Sequence, residues 1–372
     1  MQVFGPTELV EVVQKGGLCI GCGACVGLCP YFLNHRGKTV QIFPCSLAQG
    51  RCFAACPKVE VDLDEISRYH SQVPYEGTPM GRYGEALAAK AGTKMTAGAF
   101  QGGGTVSALL IHALEQGLID AAVLTGQDEK GPTPRIASTP GEILDCATSK
   151  FTAAPTLAAL NQAVAEKRDR LAVVGTPCQM TAVAKWRTNP LAREDFADPV
   201  SLTIGLFCNW GLDQRALNAF LDERLDMSRI KRMDIPPPPA NVLVVDLGDE
   251  TLEIPLDEIR PLIPETCGLC PDMTSEWADL SVGMFEGRPG WNTLLVRSQK
   301  GRDLVAGAVS AGLLTTEPMP ETNLGHLKDA ARNKKRRAFL KVNEKGLLNP
   351  SDDNVRALLR VPQNVVNAIL EP

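Results

Sequence analysis

Cys19-Ile20-Gly21-Cys22-Gly23-Ala24-Cys25-Val26-Gly27-Leu28-Cys29-Pro30 carries four cysteines at the spacing C-x2-C-x2-C-x3-C-P. An iron–sulfur cube needs thiolates converging from several directions, and a tight loop supplies three of them at two-residue intervals. Gly21 and Gly23 let the backbone turn and bring amide N–H groups near the sulfides, and Pro30 turns the chain away after the fourth cysteine. Paired C-x2-C alone would serve a zinc knuckle; the fourth cysteine and trailing proline favour iron and sulfide. A degenerate second copy follows, Cys45-x6-Cys52-x3-Cys56-Pro57, with Ser46 and Gln49 where regular spacing would put the first two cysteines. By the crossing rule of two-cluster ferredoxins, Cys19, Cys22 and Cys25 with Cys56 complete one cube. Cys29, Cys45 and Cys52 leave the other a ligand short, so that cube is three-iron, takes a non-cysteine ligand, or is absent. The reading is a ferredoxin-like 4Fe–4S segment over residues 1–72.

Working outward, the 372 residues hold 12 cysteines, 44% apolar and 22% charged residues and a net charge of −5. These values describe an ordinary globular chain and exclude a strongly basic nucleic-acid binder or a disordered tail. The first residues, with Glu8 and Glu11, lack the basic and apolar regions of a signal peptide, and no run of about 18 apolar residues spans a membrane. The expectation is a cytoplasmic chain with no membrane span, whose cysteines serve metal rather than disulfides. The later cysteines are scattered: Cys178 and Cys208 follow apolar runs, and Cys267-Gly268-Leu269-Cys270-Pro271 is another C-x2-C-P. Two strand ends and one knuckle can gather four thiolates, although a lone cysteine is more often a small buried hydrophobe. Cys146, without metal-like neighbours, reads as structural.

Residues 59–83 are polar with Pro74, Gly77, Pro79 and Gly81, the pattern of a linker. Beyond them, helical stretches (106–116, 156–167, 181–186) alternate with short apolar runs (120–124, 171–174, 200–207). This alternation predicts an α/β fold, a larger mixed α/β domain over 73–325 following the cysteine-rich segment. Pro236–Pro239 reads as a stiff connector and 242–254 as a hairpin. The stretch 326–372 is a basic helical extension. Its run Lys334-Lys335-Arg336-Arg337 reads as a solvated helix end, with docking to an acidic partner as the alternative. Of the four histidines, His112 lies on an apolar helix, a core rather than a catalytic position. Gly102, Gly103 and Gly104 open a helix whose N–H groups and dipole make a natural pyrophosphate seat, although the G-x-G-x-x-G fingerprint is missing. Ser149 and Lys150 offer a hydroxyl and a positive charge to such phosphates.

In order, the ferredoxin-like start, Gln101-Gly102-Gly103-Gly104-Thr105-Val106-Ser107, Gly117-Leu118-Ile119-Asp120, Ser149-Lys150-Phe151 and Gly175-Thr176-Pro177-Cys178-Gln179 are followed by four more motifs. These are Gly205-Leu206-Phe207-Cys208, Cys267-Gly268-Leu269-Cys270, Ala278-Asp279-Leu280-Ser281 and Gly290-Trp291-Asn292-Thr293. Together they resemble the family of beta subunits of coenzyme F420 hydrogenases and dehydrogenases, over roughly residues 15 to 300. The resemblance implies an iron–sulfur flavoprotein with FAD in the central domain, two to three 4Fe–4S clusters and coenzyme F420 as a candidate substrate. It implies a third cluster on Cys178, Cys208, Cys267 and Cys270. It assigns FAD contacts to Gln101, Gly102, Gly103, Gly104, Thr105, Val106, Ser149, Lys150, Gly175, Thr176 and Thr293. One departure is Thr148, where the family's usual residue is glycine.

The function expected from this resemblance is electron transfer between a hydride carrier and the clusters of partner subunits in a dehydrogenase, hydrogenase or heterodisulfide reductase type of complex. The alternatives are a stand-alone FAD and iron–sulfur reductase of a small substrate, and a non-enzymatic metal-stabilised scaffold.

Overall fold

The apolar run Leu171-Ala172-Val173-Val174 is buried on both faces, the position of a central strand. The computed structural model describes residues 1–371 except 96, 97, 99, 129, 130, 238 and 239, so half of the proline run 236–239 lies outside the described residues. Among the described residues the largest sheet has eight strands: β1 (Glu85–Ala91), β2 (Ala121–Asp128), β3 (Gly131–Ala137), β4 (Leu171–Gly175), β5 (Val200–Leu206), β6 (Leu280–Met284), β7 (Asn292–Val296) and β8 (Leu314–Pro318). Their order is β8-β1-β7-β6-β5-β4-β2-β3. The middle four, β6, β5, β4 and β2, are parallel, and antiparallel strands flank them on both sides. The chain is therefore α/β with one large mixed sheet.

The helices that matter are α1 (Leu63–Ser71), α2 (Thr105–Glu115), α3 (Pro140–Asp145), α4 (Thr156–Ala165), α5 (Pro177–Arg187), α6 (Gln214–Asp222), α7 (Gln299–Ser310), α8 (Glu321–Glu344) and α9 (Gln363–Leu370). Successive strand residues point to opposite faces. Ala122, Leu124, Ala172 and Val174 pack under α2, α3 and α7, while Ala121, Val123, Leu171 and Val173 pack under α4 and α5. The helix expected at 181–186 starts earlier, at Pro177, because Thr176 and Gln179 form a capping box around a proline in the first turn.

A separate core joins the two ends of the chain. Val3, Leu9, Phe32 and Phe53 share it with Phe339, Val342, Leu358 and Val365, and Val61–Asp62 pairs in parallel with Leu359–Arg360. Two expectations are corrected here. Residues 59–83 are not a linker: Val59, Val61, Leu63, Ile66, Tyr75 and Met80 are buried and the segment contains α1. Nor are Lys334 and Lys335 at a solvated helix end. They lie within α8 beside Ala331, Ala338, Phe339 and Val342, whose three- and four-residue spacing buries that face. The hairpin Val242–Asp246 with Thr251–Pro255 forms as expected and is extended by Arg232–Asp234. His112 is buried within α2, and no helix among the described residues is long and apolar enough to cross a membrane.

Candidate functional site

The cysteine loop 19–29 is fixed by α4. Leu157 N–H donates to Cys22 O at 3.0 Å, and the Asn161 amide donates to the carbonyls of Gly23, Ala24 and Val26 at 3.4, 3.0 and 2.7 Å. Gly23 has φ +85° and lies so near the start of α4 that a Cβ would be 2.4 Å from Pro155 O. The knuckle of Cys267 and Cys270 is tied to the same loop, since Thr266 Oγ1 donates to Leu18 O at 2.8 Å. Cys178 is the second residue of α5, just beyond the carboxyl end of β4, and Cys208 lies two residues beyond the carboxyl end of β5. In open parallel sheets this is the edge where ligands bind.

All twelve cysteines are free thiols. Electrostatic proximity sorts eleven of them into three groups. Cys22 is within reach of Cys25 and Cys56, and Cys25 and Cys56 are within reach of Cys19. Cys52 neighbours Cys29 and Cys45. Cys208 neighbours Cys178, Cys267 and Cys270. The groups adjoin: Cys22 also feels Cys178, and Cys25 also feels Cys52. Burial pushes the thiols of Cys52, Cys56 and Cys178 up to about 11 and that of Cys208 to about 12; Cys22 and Cys25 are also raised by burial. Such thiols are poor nucleophiles at neutral pH, and several thiolates in one buried site repel one another unless a cation joins them. No three Cys, His, Asp or Glu among the described residues converge tightly enough to grip a single ion. Thiolates sharing one zinc at about 2.3 Å would lie within about 4 Å of each other, a closer grip than a cube requires. Cys146 stays apart from these groups, packed against the core under α2 and α3.

The glycine run sits against β1 and β7. A Cβ on Gly103 would be 2.7 Å from Asn292 Oδ1 and 2.9 Å from Ala89 O, so only glycine allows that approach. Gly104, with φ +74°, caps α2. The hydroxyl of Thr105, at the first position of α2, is buried with no hydrogen-bond partner, while its N–H donates to Asn292 Oδ1 at 3.4 Å. Val106, half-buried, follows it in the first turn. Gln101 reaches across this loop, its Oε1 accepting from Ser149 N–H at 3.3 Å and its amide donating to Met233 O at 3.3 Å. Gln101, the three glycines, Thr105 and Ser149 therefore lie around one loop.

Three others are already engaged. The Lys150 ammonium donates to Ala147 O, Thr148 O and Thr148 Oγ1 at 3.1, 3.1 and 2.7 Å, and burial lowers its pKa. Thr293 is buried and donates to Met284 O at 3.1 Å. The Thr176 hydroxyl, beside Gly175, lies 3.2 Å from Cys178 Sγ and donates to Gln179 Oε1 at 3.2 Å. Sequence reasoning missed Asn161, Asn292 and the buried lysines Lys58, Lys185 and Lys334. Gln179 was within reach through its capping-box spacing after Thr176; the others have no local signal.

Residues 86–161 match the family described as the N-terminal part of the coenzyme F420 hydrogenase/dehydrogenase beta subunit, and residues 168–322 match the family described as its C-terminal part. The coenzyme F420 hydrogenase subunit beta of Methanothermobacter thermautotrophicus is 30% identical over 266 residues, covering 70% of this chain and 94% of the relative. The chain belongs to the family of coenzyme F420 hydrogenase/dehydrogenase beta subunits. Within this family, a subunit of the F(420)H(2) dehydrogenase of Methanosarcina mazei is 27% identical over 321 residues, covering 80% of this chain and 83% of that one. A chain of the F420-reducing [NiFe] hydrogenase complex from Methanosarcina barkeri superposes with a TM-score of 0.67 at 26% identity, over 75% of this chain and 97% of its own length. The two family matches span the large sheet and stop short of the first seven cysteines and of most of α8.

Proposed function

We propose that this chain is the flavin- and iron–sulfur-bearing subunit of a redox complex, moving electrons between a hydride carrier, coenzyme F420 or a similar one, and clusters that lead to partner subunits. The observation that carries this reading is that eleven thiols fall into three electrostatically coupled groups, with Cys22 sensing Cys178 and Cys25 sensing Cys52 from one group to the next. The chemistry a bound FAD supplies is the exchange of one hydride for two single electrons. The residues' work is to hold and insulate. Cys178, Cys208, Cys267 and Cys270 hold the inner cluster, and Cys19, Cys22, Cys25 and Cys56 hold the next. Cys29, Cys45 and Cys52 hold the outermost, with one ligand position left for a non-cysteine group. The start of α2 receives the FAD phosphates, where the orphan Thr105 hydroxyl gains a partner, and Gly102, Gly103 and Gly104 shape that loop by letting it close on Asn292, Ala89 and Phe100. Gln101 holds Ser149 beside them. In this reading 1–72 carries the outgoing clusters, 73–325 carries FAD and the inner cluster, and 326–372 braces both.

The test is iron, sulfide and flavin content of the anaerobically purified chain. About 12 iron with equal sulfide and one FAD is the expected result, and about 8 iron would remove the cluster that lacks a fourth cysteine. Zinc without flavin would overturn the reading.

A further inference from the structure

Lys334 and Lys335 are adjacent on α8, both buried, and differently provided for. Lys335 meets the Glu276 carboxylate and Tyr75 Oη at 2.5 and 2.8 Å, an ordinary buried ion pair. Lys334 donates only to carbonyls, Cys208 O at 2.6 Å and Asp272 O at 2.8 Å. Two more buried lysines share this pattern. Lys185, fully buried on α5, donates to Cys56 O and Val59 O at 2.7 and 2.6 Å. Lys58 donates to Thr266 O at 2.9 Å, next to Cys267, and lines both the hollow beside Cys178 and Cys270 and the hollow beside Cys19, Cys22, Cys25 and Cys56.

The ion pairs recorded for lysines among the described residues involve Lys15, Lys38, Lys335 and Lys345, not these three. The nearer carboxylates are otherwise occupied. Glu60 binds Arg360, and the Asp272 carboxylate accepts N–H groups of Thr274 and Glu276. A buried ammonium with only carbonyl partners is costly, since neutral dipoles replace hydration but supply no counter-charge. A thiol is the strongest charged neighbour of two of them, Cys56 for Lys185 and Cys270 with Cys208 for Lys334, and Lys58 acts on the thiols of Cys56 and Cys178.

We propose that Lys58, Lys185 and Lys334 are positioning residues whose fixed positive charges neutralise the two inner clusters and raise their reduction potentials. The inference rests on the cluster assignment above. A thiolate-bound cluster is anionic, and taking up one electron adds one negative charge, so a nearby ammonium stabilises the reduced form over the oxidised one. Lys58, between the two hollows, acts on both clusters and favours the electron's presence in either. The Cys29, Cys45 and Cys52 group has no such buried lysine among the described residues; the cation Arg51 beside it is exposed, its guanidinium donating to Leu28 O at 3.4 Å, so solvent screens its charge.

The experiment is an EPR-monitored titration of the full anaerobically purified chain with dithionite at one pH, comparing wild type with Lys334→Met and Lys334→Arg, and Lys58→Met as an independent variant. Iron and sulfide content are measured on each sample. With iron retained, Lys334→Met is expected to lower the reduced-to-oxidised ratio of one cluster about tenfold at the wild-type midpoint, and Lys334→Arg to restore it. Lys58→Met is expected to shift two clusters. Iron lost in Lys334→Met but kept in Lys334→Arg equally supports the charge role. Unchanged midpoints in both Met variants, or equal effects of Met and Arg, overturn it. A wild-type chain without iron would instead overturn the cluster assignment, so the two failures are distinct.

Discussion

The backbone of Thr148 adopts φ +84°, in the left-handed region. A β-branched residue there is strained, at a cost on the order of 1–3 kcal/mol. Thr148 Oγ1 and O both accept from the Lys150 ammonium, which is turned inward onto its own loop. Thr148→Gly is expected to stabilise the chain by about 1 kcal/mol in denaturant unfolding, because strain relief exceeds the added chain entropy. The same change removes one of the three Lys150 acceptors and leaves the carbonyls of Ala147 and residue 148, so FAD affinity measured by flavin fluorescence is expected to rise only modestly. A destabilised glycine variant would mean that the hydroxyl–ammonium bond outweighs the backbone strain.

At the scale of elements, α4 acts as the floor of the cysteine loop rather than as a mere layer of the sheet. One face of α4 packs Leu157, Leu160 and Ala163 on the sheet, while Asn161 turns its amide to three carbonyls of the loop. Replacing Asn161 by Ala leaves those carbonyls short of a donor in a buried setting. A loss of about 2 kcal/mol is expected, seen as faster hydrogen exchange confined to the loop 19–29. Unchanged exchange would assign the loop's fixation to Leu157 N–H and Gly23 alone.

Over the whole molecule, the two chain ends close on each other and on the sheet, so the cysteine-rich residues 1–72, the head, are held by contacts far apart in sequence. His70 on α1 marks one such joint: its Nε2 lies 3.2 Å from Ala184 O on α5. Burial holds its pKa below the usual value, with Arg187 adding to the shift and Asp198 and Asp279 opposing it. The unfolded ring takes a proton at a higher pH than the folded one, so stability is intact above about 6.5 and declines as pH falls through that value. His70→Gln is expected to flatten the decline between about pH 7.5 and 5.5 in thermal melts. A wild-type melt insensitive to pH over that range would place the joint's stability elsewhere.

The sequence by itself determined the thiol spacing, the alternation of helices and apolar strands, and the family motifs. Each is local: cysteines at fixed intervals, a Thr-x-x-Gln cap at 176–179, an apolar β-branched run of strand length at 171–174. Three features were decided only by tertiary structure. The polar composition of 59–83 concealed a buried helix, because its apolar residues, Leu63 and Ile66 among them, find partners from the other end of the chain. The basic run of α8 is exposed at Arg336 and Arg337 as its composition suggests but buried at Lys334 and Lys335, because burial depends on which helix face meets the core. The arrangement of the thiols in three adjoining groups brings Cys22 toward Cys178 across more than 150 residues. Contacts so distant in sequence follow from the packing of the sheet, the head and α8, and no local pattern encodes them.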